Sequence, residues 1–130
     1  MILGLGIDVV HPRRLRRWQE WPGLFERFYH PDELAECRRR ADGGLLSLAA
    51  RFAAKEAFGK ALGSGLRGMA LRDIIVTNEP GGRPVLRVIG TARRALAAAG
   101  GTDVMVSLSH EDEAAIAVVI IQGNPPHAGD

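Results

Sequence analysis

Three features of this 130-residue chain predict an α+β architecture, an antiparallel sheet with one long central helix and several shorter ones. Apolar runs of strand length come in pairs joined by turn-rich segments, and one long helical pattern occupies 45–62. The remaining helical patterns fall between the strand pairs instead of alternating regularly with single strands, which argues for an antiparallel sheet over a parallel one. The length suits one domain, expected over residues 1–122, with 123–130 as a flexible tail rich in Gly and Pro.

The elements follow in order. Residues 2–10, ILGLGIDVV, read as a mostly buried strand interrupted by small residues, with Asp8 its single charge. His11-Pro12 opens a helix over roughly 12–20, because Pro is tolerated at the first helical position, and Trp21-Pro22 ends it. His30-Pro31-Asp32-Glu33 opens another helix with acids in its first turn; Arg38, Arg39 and Arg40 are placed to close it, and Asp42-Gly43-Gly44 to break the chain. The pattern LLSLAARFAAKEAFGKAL spans 45–62 and stops at Gly63-Ser64-Gly65. Strands are expected at 74–78 and 85–89 around EPGGRP, a helix at 91–99, and a second strand pair at 104–109 and 114–121 around the turn His110-Glu111-Asp112-Glu113.

Composition excludes several classes of function. With 46% apolar and 25% charged residues the chain is globular, and its longest apolar stretch, 114–121, falls well short of the ~18 residues that cross a bilayer. Met1-Ile2-Leu3-Gly4 lacks the basic lead of a secretory signal, and the single Cys37 forbids an internal disulfide, so a cytoplasmic protein is expected. Few aromatic residues are present to stack on bases. Charge is strongly asymmetric. Residues 1–100 hold all 17 basic side chains against 10 acidic ones, whereas residues 101–130 hold five acidic and none basic. A basic body suits an acidic partner.

Candidate chemistry centres on a few side chains. Asp8 either caps the following helix or faces water, or else serves as a metal ligand or acid/base group. Glu56 falls on the helix face shared by Leu45, Ala49 and Phe52, where an acid is unexpected; Lys60, four residues on, shares that face, and Arg51 and Lys55 share the neighbouring one. Spacing alone allows a Glu56–Lys60 ion pair. The company of two lysines, an arginine and a carboxylate also suits a phosphate site with Mg²⁺. Gly63, Ser64 and Gly65 serve as a helix stop or as a side-chain-poor approach for a nucleotide. His110 is either a solvated turn residue or a ligand contact. Cys37 reads as a buried thiol, and the scattered His11, His30 and His127 show no zinc-site spacing.

Taken together, GLGIDVV (4–10), RFAAKEAFGKALGSG (51–65) and SLSH (107–110) resemble the holo-[acyl-carrier-protein] synthases, the small bacterial members of the 4′-phosphopantetheinyl transferase superfamily. The resemblance runs from about residue 1 to 121 and includes FERFYHPDELAEC (25–37) and DIIVTNEPGGRPVLRVIG (73–90). It implies Mg²⁺-dependent transfer of 4′-phosphopantetheine from coenzyme A to a serine of an acyl carrier protein, leaving adenosine 3′,5′-bisphosphate. By the same resemblance, Asp8 and Glu56 hold Mg²⁺, Glu56 or a water on the metal is the base, and Lys60 neutralises the pyrophosphate. Arg51 and Gly63–Gly65 help hold the nucleotide, and His110 reaches it from a neighbouring subunit of a homotrimer. The basic helix bearing Arg13, Arg14, Arg16 and Arg17 then orients the acidic carrier. Two departures stand out: Val10 occupies the position where larger relatives carry a second acid, and the turn 110–113 is unusually acidic. Two other classes use the same residues: a non-catalytic trimeric module binding an acidic protein or nucleic acid through the Arg-rich helix, and a metal-dependent phosphohydrolase.

Overall fold

A computed structural model describes residues 1–41 and 44–126. The first strand, β1 (Ile2–Val10), leads into α1 (Pro12–Trp18), α2 (Leu24–Phe28) and α3 (Pro31–Cys37). The long helix α4 (Leu45–Leu62) follows with the expected bounds, its last turn ending at Gly63 in a left-handed conformation (φ 82°). A short 3₁₀ turn (Leu71–Asp73) precedes β2 (Ile74–Asn78) and β3 (Pro84–Val88), which form the expected hairpin; α5 (Gly90–Ala98), β4 (Gly101–Glu111) and β5 (Ala114–Gly123) complete the chain. The strands form two antiparallel sheets, β1-β5-β4 and β2-β3.

The small residues in β1 have a packing reason. A Cβ added at Gly4 would lie 1.8 Å from the Ala61 carbonyl oxygen, and one at Gly6 would lie 1.9 Å from that of Ala57. Only glycine lets the strand backbone approach α4 this closely. Asp8 is the next residue on the same inner side, so the glycine contact delivers its carboxylate to the rim of α4. Ala49, Ala53, Ala54, Ala57 and Phe58 of α4 are fully buried, as befits a helix surrounded by other elements.

The structure departs from the sequence expectation at several places. Residues 24–28 form a short helix that no periodicity announced. Arg38 is the cap of α3, with Arg39 and Arg40 beyond its end. The break expected at Asp42-Gly43-Gly44 lies largely outside the described residues, as do residues 127–130 of the expected tail. Gly123 and Asn124 donate backbone hydrogen bonds to Met1 and Gly100 carbonyls at 3.0 Å each. The β4–β5 turn is tighter than expected, because pairing continues through His110↔Ala115 and Glu111↔Ala114. Finally, β1 is buried on one face only. Leu5, Ile7 and Val9 alternate outward and remain 64%, 56% and 50% exposed, with Met105 of β4 on the same outer face at 46%. In a single copy the inner face packs on α4, and among the described residues none covers the outer one.

Candidate active site

The inner side of β1 and the second half of α4 bring Asp8, Glu56 and Lys60 together. The Lys60 ammonium donates to Asp8 Oδ1 at 2.9 Å and to the Ile7 carbonyl at 3.0 Å, across more than fifty residues of sequence. The helical Glu56–Lys60 pair that spacing allowed is therefore not the one that forms: Lys60 reaches instead to the strand. Glu56 is half-buried and, among the described residues, its carboxylate makes no hydrogen bond or ion pair. Burial pushes its carboxyl above the ordinary value and the nearby Asp8 charge adds to this, while Arg14 and Lys60 oppose it. An unengaged carboxylate beside a second carboxylate is a costly arrangement in a bare protein.

Arg14 joins this cluster by a route the sequence did not disclose. Its guanidinium lies 5.7 Å from the ring centroid of Trp18 and 5.6 Å from that of Phe52, one helical turn before Glu56. Trp18 in turn meets Phe52 and Phe28 edge-on at 4.9 and 5.4 Å. Arg13, Arg16 and Arg17 stand exposed on the rest of α1.

A second set of expected residues gathers elsewhere. A cavity of about 740 Å³ is lined by Arg39, Arg40, Ser47, Arg51, Asn78 and His110, together with apolar neighbours. Neither Asp8, Glu56 nor Lys60 lines it. Arg51 is 2% exposed, and its donors are already engaged: Nε to the Val76 carbonyl at 2.9 Å, Nη2 to Glu36 Oε1 at 2.7 Å, and Nη1 to Ser47. Arg39, Arg40 and His110 supply the exposed positive or protonatable groups of this cavity. Arg39 and Arg40 had read only as helix-end cations, and Asn78 carried no sequence signal at all. Gly63 and Ser64 are exposed and Gly65 half-exposed; the Gly65 amide donates to the Gly59 carbonyl at 3.0 Å, and nothing lies within 4 Å of a Cβ built at Gly63 or Gly65. The loop is an open helix end outside the cavity.

Lys55, the other lysine, proves to be interior. Its ammonium is fully buried and donates to Glu33 Oε1 at 2.6 Å, to the Leu71 carbonyl at 3.0 Å and to the Ile74 carbonyl. Burial pushes it below its ordinary value, with Glu33 opposing. Glu33 also accepts from the Val76 amide, and Glu36 from the Asn78 amide. Two acids of α3 and two cations of α4 thus satisfy the polar edge of β2 that faces away from β3.

With this geometry established, comparison with known proteins is decisive. The sequence model of the 4′-phosphopantetheinyl transferase superfamily matches residues 4–119. The chain belongs to that superfamily. Within it, the holo-[acyl-carrier-protein] synthase of Treponema denticola is 54% identical over 123 residues, covering 95% of this chain and all of the relative. The crystal structure of the Neisseria meningitidis synthase superposes with a TM-score of 0.85 at 33% identity, covering 94% of this chain and 99% of that one. The Helicobacter pylori synthase, solved in complex with coenzyme A, superposes with a TM-score of 0.78 at 29% identity, covering 91% and 99%. This member of the superfamily is accordingly an enzyme, a phosphopantetheinyl transferase, and the reading as a non-catalytic binding module is set aside. Among the described residues no helix is long and apolar enough to cross a membrane.

Proposed function

We propose that residues 1–122 form one catalytic unit that transfers 4′-phosphopantetheine from coenzyme A to a serine hydroxyl of an acyl carrier protein, releasing adenosine 3′,5′-bisphosphate, with Mg²⁺ held by Asp8 and Glu56. The observation that carries this reading is the convergence of Asp8, Glu56 and Lys60 in a chain with full-length synthase relatives. Two carboxylates are enough for a cation that keeps several waters and takes its other ligands from substrate phosphates. Glu56 fits this role because its carboxylate is otherwise unengaged. Bound there, Mg²⁺ would draw charge from the pyrophosphate as the bond to phosphorus breaks.

The chain's own residues do the rest. Lys60, half-exposed on a flexible stem, turns its ammonium to the pyrophosphate and stabilises the departing phosphate. Glu56, beside Asp8 on the rim of α4, is the chain's own group placed to accept the serine proton, directly or through a water. The cavity lined by His110, Arg39 and Arg40, with the buried Arg51 bracing its wall, holds the nucleotide phosphate, and the Gly63–Gly65 loop leaves room for the cofactor beside Lys60. Arg13, Arg14 and Arg17 draw in and orient the acidic carrier. A cytoplasmic homotrimer completes the site. The uncovered apolar face of β1, continued by Met105 of β4, supports the assembly, and the separation of the His110 cavity from the carboxylates supports a site shared between neighbouring subunits.

Chromatography of the nucleotide product tests the reaction. Adenosine 3′,5′-bisphosphate should form only with apo-carrier present and stop on addition of a chelator. Release without carrier would instead mark a hydrolase.

A further inference from the structure

Among the described residues, Lys60 is the one cation bonded directly to the carboxylate cluster. Its ammonium holds Asp8 Oδ1 at 2.9 Å and the Ile7 carbonyl at 3.0 Å, while its side chain remains 53% exposed. One of the two carboxylates is therefore already held by a cation, which cancels half of the cluster's formal negative charge. Affinity for a hard divalent cation grows with the negative charge of its ligands, so a half-neutralised cluster is a poor site by itself.

On the reading of Asp8 and Glu56 as the metal carboxylates, we propose that Lys60 is an internal counter-ion that keeps this site closed to divalent cations until an anionic pyrophosphate arrives. The ammonium end of the pair is half-exposed and therefore easily exchanged. An incoming pyrophosphate offers the ammonium several oxygens in place of one carboxylate oxygen. Lys60 transfers to it, Asp8 Oδ1 becomes free, and the cluster recovers the full negative charge of its two carboxylates for a divalent cation. Cation and cofactor then bind together, in mutual dependence, and the free enzyme holds the cation weakly.

Mn²⁺ provides the probe, with unbound Mn²⁺ counted by electron paramagnetic resonance and the carrier omitted so that no turnover occurs. Without coenzyme A, Lys60→Met should bind Mn²⁺ about fivefold more tightly than wild type, the scale of an exposed ion pair removed. Lys60→Arg, which keeps the charge, should stay at the wild-type value. Coenzyme A, corrected for its own binding of Mn²⁺, should raise the affinity of wild type far more than that of Lys60→Met. Equal or weaker Mn²⁺ binding by Lys60→Met would overturn the proposal even if coenzyme A still promoted binding to wild type and Glu56→Gln abolished it. Absence of Mn²⁺ binding to wild type in the presence of coenzyme A would overturn the metal assignment itself, and the counter-ion with it.

Discussion

Replacing Lys55 by Met should unfold this protein far more readily while leaving its chemistry intact. Both members of the Glu33–Lys55 pair are fully buried, and the ammonium makes three hydrogen bonds, to Glu33, Leu71 and Ile74. Methionine fills the same space but leaves the Glu33 carboxylate without a counter-charge and two carbonyls without a donor. Breaking a buried pair in this way costs about 3–5 kcal/mol. With an unfolding entropy near 2.1 cal/mol/K per residue, a chain of this length should lose roughly 10–20 °C in Tm. The double variant Glu33→Gln/Lys55→Met removes the uncompensated charge and should recover part of that loss, limited because the single amide oxygen can accept from only one of the His30 and Val76 N–H groups that the two carboxylate oxygens now hold. Scanning calorimetry of the three proteins, with carrier modification followed well below each Tm, checks both halves. A Tm within about 3 °C of wild type for Lys55→Met would refute the buried-pair account. So would a double variant no more stable than the single one.

Four further outcomes follow from the site and its surroundings. Asp8→Asn and Glu56→Gln should each lower turnover about a hundredfold or more, measured at saturating coenzyme A over a Mg²⁺ series. In chelator, Glu56→Gln should melt no lower than wild type at neutral pH. Because the folded-state pKa of Glu56 is raised above 4.5, its ionisation disfavours the fold as pH rises from 4.5 through the raised value, so any gain should vanish as pH falls back through that window. Arg14→Ala should slow productive encounter with the carrier, seen in kcat/KM, and the defect should shrink as salt rises. Loss of the stacking on Trp18 and Phe52 should also cost it a little stability. Ile7→Lys places a charge on the uncovered face of β1 and should keep the proposed homotrimer from forming, leaving a folded single subunit by light scattering.

Much of the fold was legible because it rests on local periodicity. The apolar pattern of 45–62 delimits α4 without error, since a glycine stop and an uninterrupted helical repeat coincide there. The EPGGRP hairpin was equally plain. Asp8 and Glu56 stood out as acids among apolar neighbours, and their meeting is a consequence of Gly4 and Gly6 letting β1 lie against α4. Pairings across long stretches of sequence were not legible. Helical spacing puts Lys55 and Lys60 on different faces, but it does not reveal that Lys55 is locked to Glu33 in the interior while Lys60 pairs with Asp8 at the surface. Both follow the same helix, and only the packing of α3 and β2 against one side of it separates their roles. The strand expected to be mostly buried is half uncovered for a related reason: alternation tells which residues share a face, and says nothing of what covers it.

Asp8 and Glu56, facing Lys60 on the rim of α4, are proposed to carry phosphopantetheine transfer to a carrier serine. The decisive experiment is intact-protein mass spectrometry of an apo-carrier incubated with coenzyme A and Mg²⁺ and either wild type, Asp8→Asn or Glu56→Gln. Wild type should convert the carrier to the form bearing one phosphopantetheine group, while both variants, folded by their melting curves, should leave it almost wholly unmodified over the same interval. Comparable conversion by either carboxylate variant, or an unmodified carrier with wild type across several carriers, would contradict that proposal.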